Sequence, residues 1–233
     1  MKQNGIMFKM AHPPSSKEEV EDPIDEQHFS IVPQTPLRED AFELTDEEKI
    51  NAISGHFKEI MSTLGLDLED DSLKGTPRRV ARMFVKEIFS GLNPINKPVI
   101  SLFDNKYKYN QMLVERNIDL YSNCEHHFVP IIGKAHVAYI SSGKVIGLSK
   151  INRIVQYYSK RPQVQERLTL QIANELKTVL HTEDVAVLVE ASHLCISSRG
   201  IKDTDSVTVT AEYCGAFSEE KRRDEFLKYL SLK

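Results

Sequence analysis

Cys124-Glu125-His126-His127 is the densest group of metal-seeking side chains in this sequence. A cysteine and a histidine three positions apart in a turn can converge on one metal ion. Read alone, the group is equally a strand end with a buried thiol and two surface histidines. A second group, His193-Leu194-Cys195, shifts that balance. The chain has only three cysteines and eight histidines, and two of the cysteines stand beside histidines. Thiolate with imidazole favours zinc. A zinc finger brings its ligand pairs within about twenty residues of each other. Here Cys124 and Cys195 lie roughly seventy positions apart, so the fold must assemble the site. Two cysteines and one histidine leave a fourth position open, as catalytic zinc requires. Cys214 lies in an alternating segment and reads as a packed small hydrophobe.

Two further groups suit a nucleotide. Ser149-Lys150-Ile151-Asn152-Arg153 opens a predicted helix, where backbone amides and two cations attract phosphate. Arg199-Gly200 follows the Cys195 segment, and Arg79 lies near the start of another helix. Each cation alone reads as a solvated charge; their grouping near the metal-seeking segments favours a polyphosphate pocket. Gln165-Glu166 falls in the first turn of a later helix. Two readings stand for Glu166: a partner of the helix dipole, or an acceptor for the N–H edge of a base.

These groups need elements to hold them. Thr45 and Glu48 form a capping box before Ile50, Ile53, Phe57, Ile60, Met61 and Leu64 at helical spacing, with Gly65 as the stop. A second helix opens at Thr76-Pro77 and runs to Gly91. Period-two alternation predicts strands from Leu113 to Ser122 and from Ile131 to Ile140. A helix capped by Ser149 carries Ile151, Ile154, Val155 and Tyr158 on one face. Another begins after Pro162, with Val164, Leu168, Ile172, Leu176 and Leu180. Val185–Ile196 reads as a buried strand that points His193 and Cys195 the same way, and Ser206–Phe217 as an alternating one. A last helix, Glu219–Leu230, turns Phe226, Leu227 and Leu230 inward. The order is ββ-αα-ββ behind N-terminal helices, an α+β arrangement with an antiparallel sheet. Expected divisions are a flexible tail over 1–43, a helical region over 44–112 and a catalytic domain over 113–233. Pro13, Pro14, Pro23, Pro33 and Pro36 mark the tail as able to bury little.

Composition narrows the classes. Of the 233 residues 40% are hydrophobic and 27% charged, as in ordinary soluble proteins. The net charge of −4 disfavours a partner with a nucleic-acid backbone. No apolar run is long enough to span a bilayer, so no membrane role is expected. Met1–Pro14 lacks the pattern of a secretory signal, and three cysteines make no disulfide framework. A reducing, cytoplasmic setting is the expectation.

Four ordered segments resemble the GTP cyclohydrolase I family: Ser122–Phe128, Gly147–Arg153, Arg161–Thr169 and His193–Gly200. The resemblance runs from about Leu44 to Leu230; Tyr213-Cys214 departs from the family pattern, away from the proposed site. It implies conversion of GTP and water to 7,8-dihydroneopterin triphosphate and formate, the entry to folate and pterin synthesis. By resemblance Cys124, His127 and Cys195 bind zinc, which lowers the pKa of water towards ~7 and suits attack at C8 of guanine. His126 is then the proton donor at the imidazole ring, and His193 a second acid/base with Ser149 nearby. Gln165 and Glu166 resemble the guanine-reading pair, and Lys150, Arg153, Arg199 and Arg79 the triphosphate clamp. The family's tunnelling fold assembles ββ-αα-ββ units into a barrel. The resemblance also implies a homo-oligomer, a decamer of two pentamers, with sites shared between adjacent subunits. One rival reading is a pterin or deazapurine enzyme of the same fold, which the phosphate segment disfavours. Another is a zinc-stabilised binding module, which predicts a fourth ligand that the sequence does not offer.

Overall fold

The chain is described from a computed structural model, which covers residues 34–232. The expected tail lies outside the described residues up to residue 33. Beyond it, the chain before the first helix is tied down at Thr35, whose hydroxyl faces Arg161 Nη1 at 3.4 Å. Ala41 accepts from Lys49 Nζ at 2.8 Å.

Helix α1 spans Asp46–Thr63, and its capping box forms as the sequence predicts. Glu48 N donates to Thr45 Oγ1 at 3.3 Å, and Thr45 N to the Glu48 carboxylate at 2.8 Å. Such a cap is worth about 1 kcal/mol. The apolar face predicted for this helix is covered only in part. Ile50 and Met61 are buried, whereas Ile60 is 51% and Leu64 72% exposed. Within one chain α1 packs chiefly on α2 (Thr76–Met83) and the turn that follows it, too little surface to cover the whole stripe.

The second predicted helix is broken into α2, a π-helical turn over Phe84–Ile88 and a 3₁₀ turn over Ser90–Leu92. Gly91 explains the end of this segment. Its N–H donates to the Lys160 carbonyl at 2.9 Å, and a Cβ there would stand 2.0 Å from the Tyr157 carbonyl oxygen. Only glycine allows that approach.

Two strands that the sequence did not signal, β1 (Leu102–Asp104) and β4 (Lys144–Ile146), pair antiparallel. The main sheet contains β2 (Met112–Cys124), β3 (Pro130–Ile140), β5 (Pro162–Gln163), β6 (Val185–His193) and β7 (Thr208–Tyr213). Its order is β5-β2-β3-β6-β7, antiparallel except where β5 runs parallel to β2. Helices α3 (Leu148–Ser159) and α4 (Gln165–Leu180) lie on one face. The stripe Leu168, Ile172, Leu176 and Leu180 is fully buried there, with Ile151, Ile154 and Val155 of α3. Truncating one such leucine to alanine costs about 2–5 kcal/mol. On the other face, Phe217 and Phe226 pack against Met112, Ala138, Ala186 and Leu188. The result is the expected α+β class with an antiparallel-rich sheet.

Four local expectations are corrected. The strand expected to reach Ile196 ends at His193, and Cys195 lies in a one-turn helix, α5 (Leu194–Ser197). Strand alternation therefore does not govern His193 and Cys195. The strand expected over Ser206–Phe217 shortens to β7, because Ala216 N bonds the Asp184 carboxylate and the chain turns. Gly147, not Ser149, is the N-cap of α3. In α6 (Glu220–Leu230) Phe226 is buried but Leu227 is 42% exposed. No helix among the described residues is long and apolar enough to cross a membrane.

Candidate metal centre

Strand β2 ends in a tight turn that folds Cys124 and His127 together. Phe128 N donates to the Cys124 carbonyl at 2.8 Å, and Cys124 N to the Val129 carbonyl at 2.9 Å. Asn123 Nδ2 closes the turn on the Phe128 carbonyl at 3.2 Å. Phe128 takes φ = 54° and packs its ring against Phe89, 5.0 Å between centroids. The two site-bearing strands are brought together through β3, where Ile131 pairs with His193.

The ligand atoms of Cys124, His127 and Cys195 all lie within 4.8 Å of one another. Cys124 Sγ stands 4.0 Å from His127 Nδ1. Tetrahedral zinc, with bonds of roughly 2.0–2.3 Å, needs its ligands about 3.5–3.8 Å apart, so a small closure completes the cage. Two thiols and an imidazole form a donor set that fits zinc. Burial pushes the Cys195 thiol above its ordinary value, and the adjacent Cys124 adds to this. His126 also approaches Cys124 Sγ, at 3.7 Å to Nδ1, but is not among the three convergent groups.

The acid/base candidate His193 is fixed from one side. Its Nε2 meets Gln165 Oε1 at 2.8 Å. Gln165 is buried, and its amide nitrogen donates to the Val189 and Thr208 carbonyls at 3.1 and 2.9 Å. The side chain therefore holds His193 rather than facing solvent. Burial pulls the His193 pKa below its ordinary value, and the charge of Glu166 works against that shift. Glu166 is exposed, on the side chain that follows.

The cations divide. Arg199 Nη1 donates to His127 Nε2 at 2.8 Å, so this arginine stands at the Cys124–His127–Cys195 cluster. Arg79 is exposed and bonds Thr76 Oγ1 at 2.9 Å and the Ser72 carbonyl at 3.2 Å, within its own helix start. Ser149 and Lys150 begin α3 at the opposite end of β2 from Cys124. Asn152 Nδ2 bonds Glu115 Oε1 at 3.3 Å, whereas Ser122 bonds the Arg161 carbonyl beyond the other end of α3. Glu115 and Cys124 are nine positions apart along β2, roughly 25–30 Å with the bulge between Glu115 and Ile118. Arg153 lies one helical turn in and lines a cavity of about 250 Å³ with Gln156, Tyr157 and Lys160.

Sequence reasoning missed one ion pair here. Arg167, buried in α4, holds the Glu125 carboxylate across 42 positions. Nothing in local spacing announces a contact that long.

A family profile described as GTP cyclohydrolase I matches residues 53–231. A Flavobacterium johnsoniae protein named GTP cyclohydrolase 1 is 62% identical over 217 residues, 93% of this chain and 97% of its own length. Proteins of the same name from Erwinia tasmaniensis and Citrobacter koseri are each 54% identical over 196 residues. Those alignments cover 84% of this chain and 89% and 88% of theirs.

Proposed function

The chain belongs to the GTP cyclohydrolase I family, and from that premise we propose that it converts GTP and water to 7,8-dihydroneopterin triphosphate and formate at a zinc centre formed by Cys124, His127 and Cys195. The observation that carries the reading is the convergence of those three side chains from segments roughly seventy positions apart. When bound, zinc supplies an electrophile that brings the ionisation of water near neutral pH.

The chain's own residues do the rest. His126, beside two ligands and exposed, donates a proton at the imidazole ring of guanine. His193, aimed by Gln165, serves the later opening and rearrangement of the ribose, with Ser149 assigned beside it. Glu166 accepts from N1–H and the 2-amino group of guanine; Gln165 contributes to that end through the turn it shares with Glu166. Adenine offers neither proton, and a site built for such hydrogen bonds can reject the analogue by ~10⁴–10⁵. Lys150, Arg153, Arg199 and Arg79 hold the triphosphate. In one chain Ser149 and Lys150 stand far from the metal ligands, which supports a site completed by an adjacent copy. The assembly we infer is the family's tunnelling-fold decamer of two pentamers, in the cytoplasm.

The test is incubation with GTP, reading pterin fluorescence and formate with and without a chelator. The reading expects both products, lost on chelation and restored by zinc. Metal-loaded protein that leaves GTP unchanged would contradict it.

A further inference from the structure

We propose that Arg167 and Glu125 are positioning residues for this reaction, a strut that holds the Cys124–His127 turn in register with the first turn of α4. The inference rests on the function proposed above and adds two residues to it.

The first turn of α4 reaches in three directions. Gln165 holds His193, Glu166 is exposed, and Arg167 runs back to Glu125, between Cys124 and His126. The Arg167 side chain is only 4% exposed and that of Glu125 24%. Nη1 and Nη2 of Arg167 address the two carboxylate oxygens separately, so the carboxylate is fixed in orientation as well as in place. The same stretch is clamped by backbone: Glu125 N donates to the Gln163 carbonyl at 3.0 Å, and Cys124 pairs with Gln163 in the β2–β5 register. Glu125 Oε1 lies 3.8 Å from His126 Nε2, so the fixed carboxylate also bounds where that ring can sit.

The consequence is geometric. His126 and the ligand Cys124 belong to one element; His193 and Glu166 are set by another. The Arg167–Glu125 fork ties the two elements at the point where both meet substrate. A charge buried this far must have a partner, but an ion pair is a poor source of net stability compared with apolar packing. Its value here is in fixing distance. Lysine cannot reproduce the two-pronged fork, and aspartate is one methylene too short to meet it.

Glu125→Asp and Arg167→Lys therefore test the idea while leaving both charges in place, which limits the risk to folding. Each full-length variant is assayed for metal content, oligomer size, and kcat and KM for GTP beside the parent. The expected result is kcat lowered about 10- to 100-fold with KM within about 3-fold and metal retained. The double variant is expected to be no worse than the poorer single one, because both break the same strut. Metal-loaded single variants with kcat within about 2-fold of the parent would overturn the proposal. So would kcat losses that multiply in the double variant. Loss of metal or of assembly in both single variants would make the pair a structural one and overturn it equally. A parent that fails to turn over GTP would instead refute the proposed function, so the two failures are distinct.

Discussion

The two ends of strand β2 are built differently. At the Cys124 end the chain is cross-tied: the ligand turn closes on its own backbone, Arg167 holds Glu125, and Gln165 holds His193. Arg161 stacks on Tyr157 and Tyr158 nearby, at 4.7 and 4.6 Å, and reaches the Gly91 carbonyl. At the Glu115 end the start of α3 leaves Ser149 exposed and Lys150 half-buried, with no side-chain cap on the helix. Chemistry that depends on distances within about half an ångström belongs on the braced end. The other end, which carries Ser149 and Lys150 at the start of α3, can be completed by a partner surface.

The sharpest way to break this contrast is at the ligands. Cys124→Ser, His127→Ala and Cys195→Ser are expected to lose metal and essentially all turnover, whereas Cys214→Ser keeps both. His126→Ala is expected to keep metal while losing ~10²–10⁴ in kcat. Metal analysis of the purified proteins decides each; a metal-free His126→Ala would exchange the roles of the two histidines.

Glu166→Gln probes the base-reading side of the braced end. If Glu166 reads guanine as proposed, the amide presents one acceptor where two donors would arrive, so GTP use is expected to fall severely, up to ~10⁴-fold in kcat/KM. Metal content and oligomer size are expected to match the parent. Turnover within a few-fold of the parent would leave Glu166 as a partner of the helix dipole only.

At the open end the effect is smaller. On the proposed assignment Lys150→Ala removes one charge-assisted contact to phosphate, about 1.5 kcal/mol, so KM for GTP is expected to rise about 10-fold with kcat little changed. A fall in kcat with unchanged KM would place Lys150 in the chemistry instead.

The smallest effect belongs to His136, on the sheet between the two ends. Burial lowers its pKa; Glu190 opposes the shift, while Arg116 and Lys134 add to it. The folded form thus binds fewer protons than the unfolded one below about pH 6.5, and stability falls as pH drops through that range. His136→Gln keeps an acceptor for Asn117 N–H, which bonds Nδ1 in the parent at 3.3 Å. Its denaturation midpoint is expected to fall less between pH 7 and pH 5 than that of the parent; an identical slope would refute the assignment.

The sequence carried the long, strongly patterned elements and the metal-seeking residue types. The capping box at Thr45 and Glu48 and the buried stripe of α4 are local, so spacing reveals them. The end of β6 at His193 is not local. The strand-like run Val185–Ile196 is cut short where the chain must turn Cys195 towards Cys124, a tertiary demand that no periodicity records. The exposure of Ile60 and Leu64 has a related origin: helical spacing puts apolar residues on one face but does not say which of them the fold covers. Gln165 to His193 and Arg167 to Glu125 span 28 and 42 positions, and only the packing of α4 onto the sheet brings them into contact.

The claim that the braced and open ends act in one site through adjacent copies has a direct test in mixed assemblies. On the proposed assignment Cys195→Ser subunits lose the metal centre, and Lys150→Ala/Arg153→Ala subunits lose two of the four clamp cations; each alone is expected to turn over GTP far more slowly than the parent at GTP concentrations near the parent's KM. On co-expression about a quarter of the head-to-tail interfaces should join an intact centre to an intact clamp. The account predicts that the mixed protein regains activity well above either parent variant. Mixed oligomers of confirmed composition that stay as inactive as their components would contradict it.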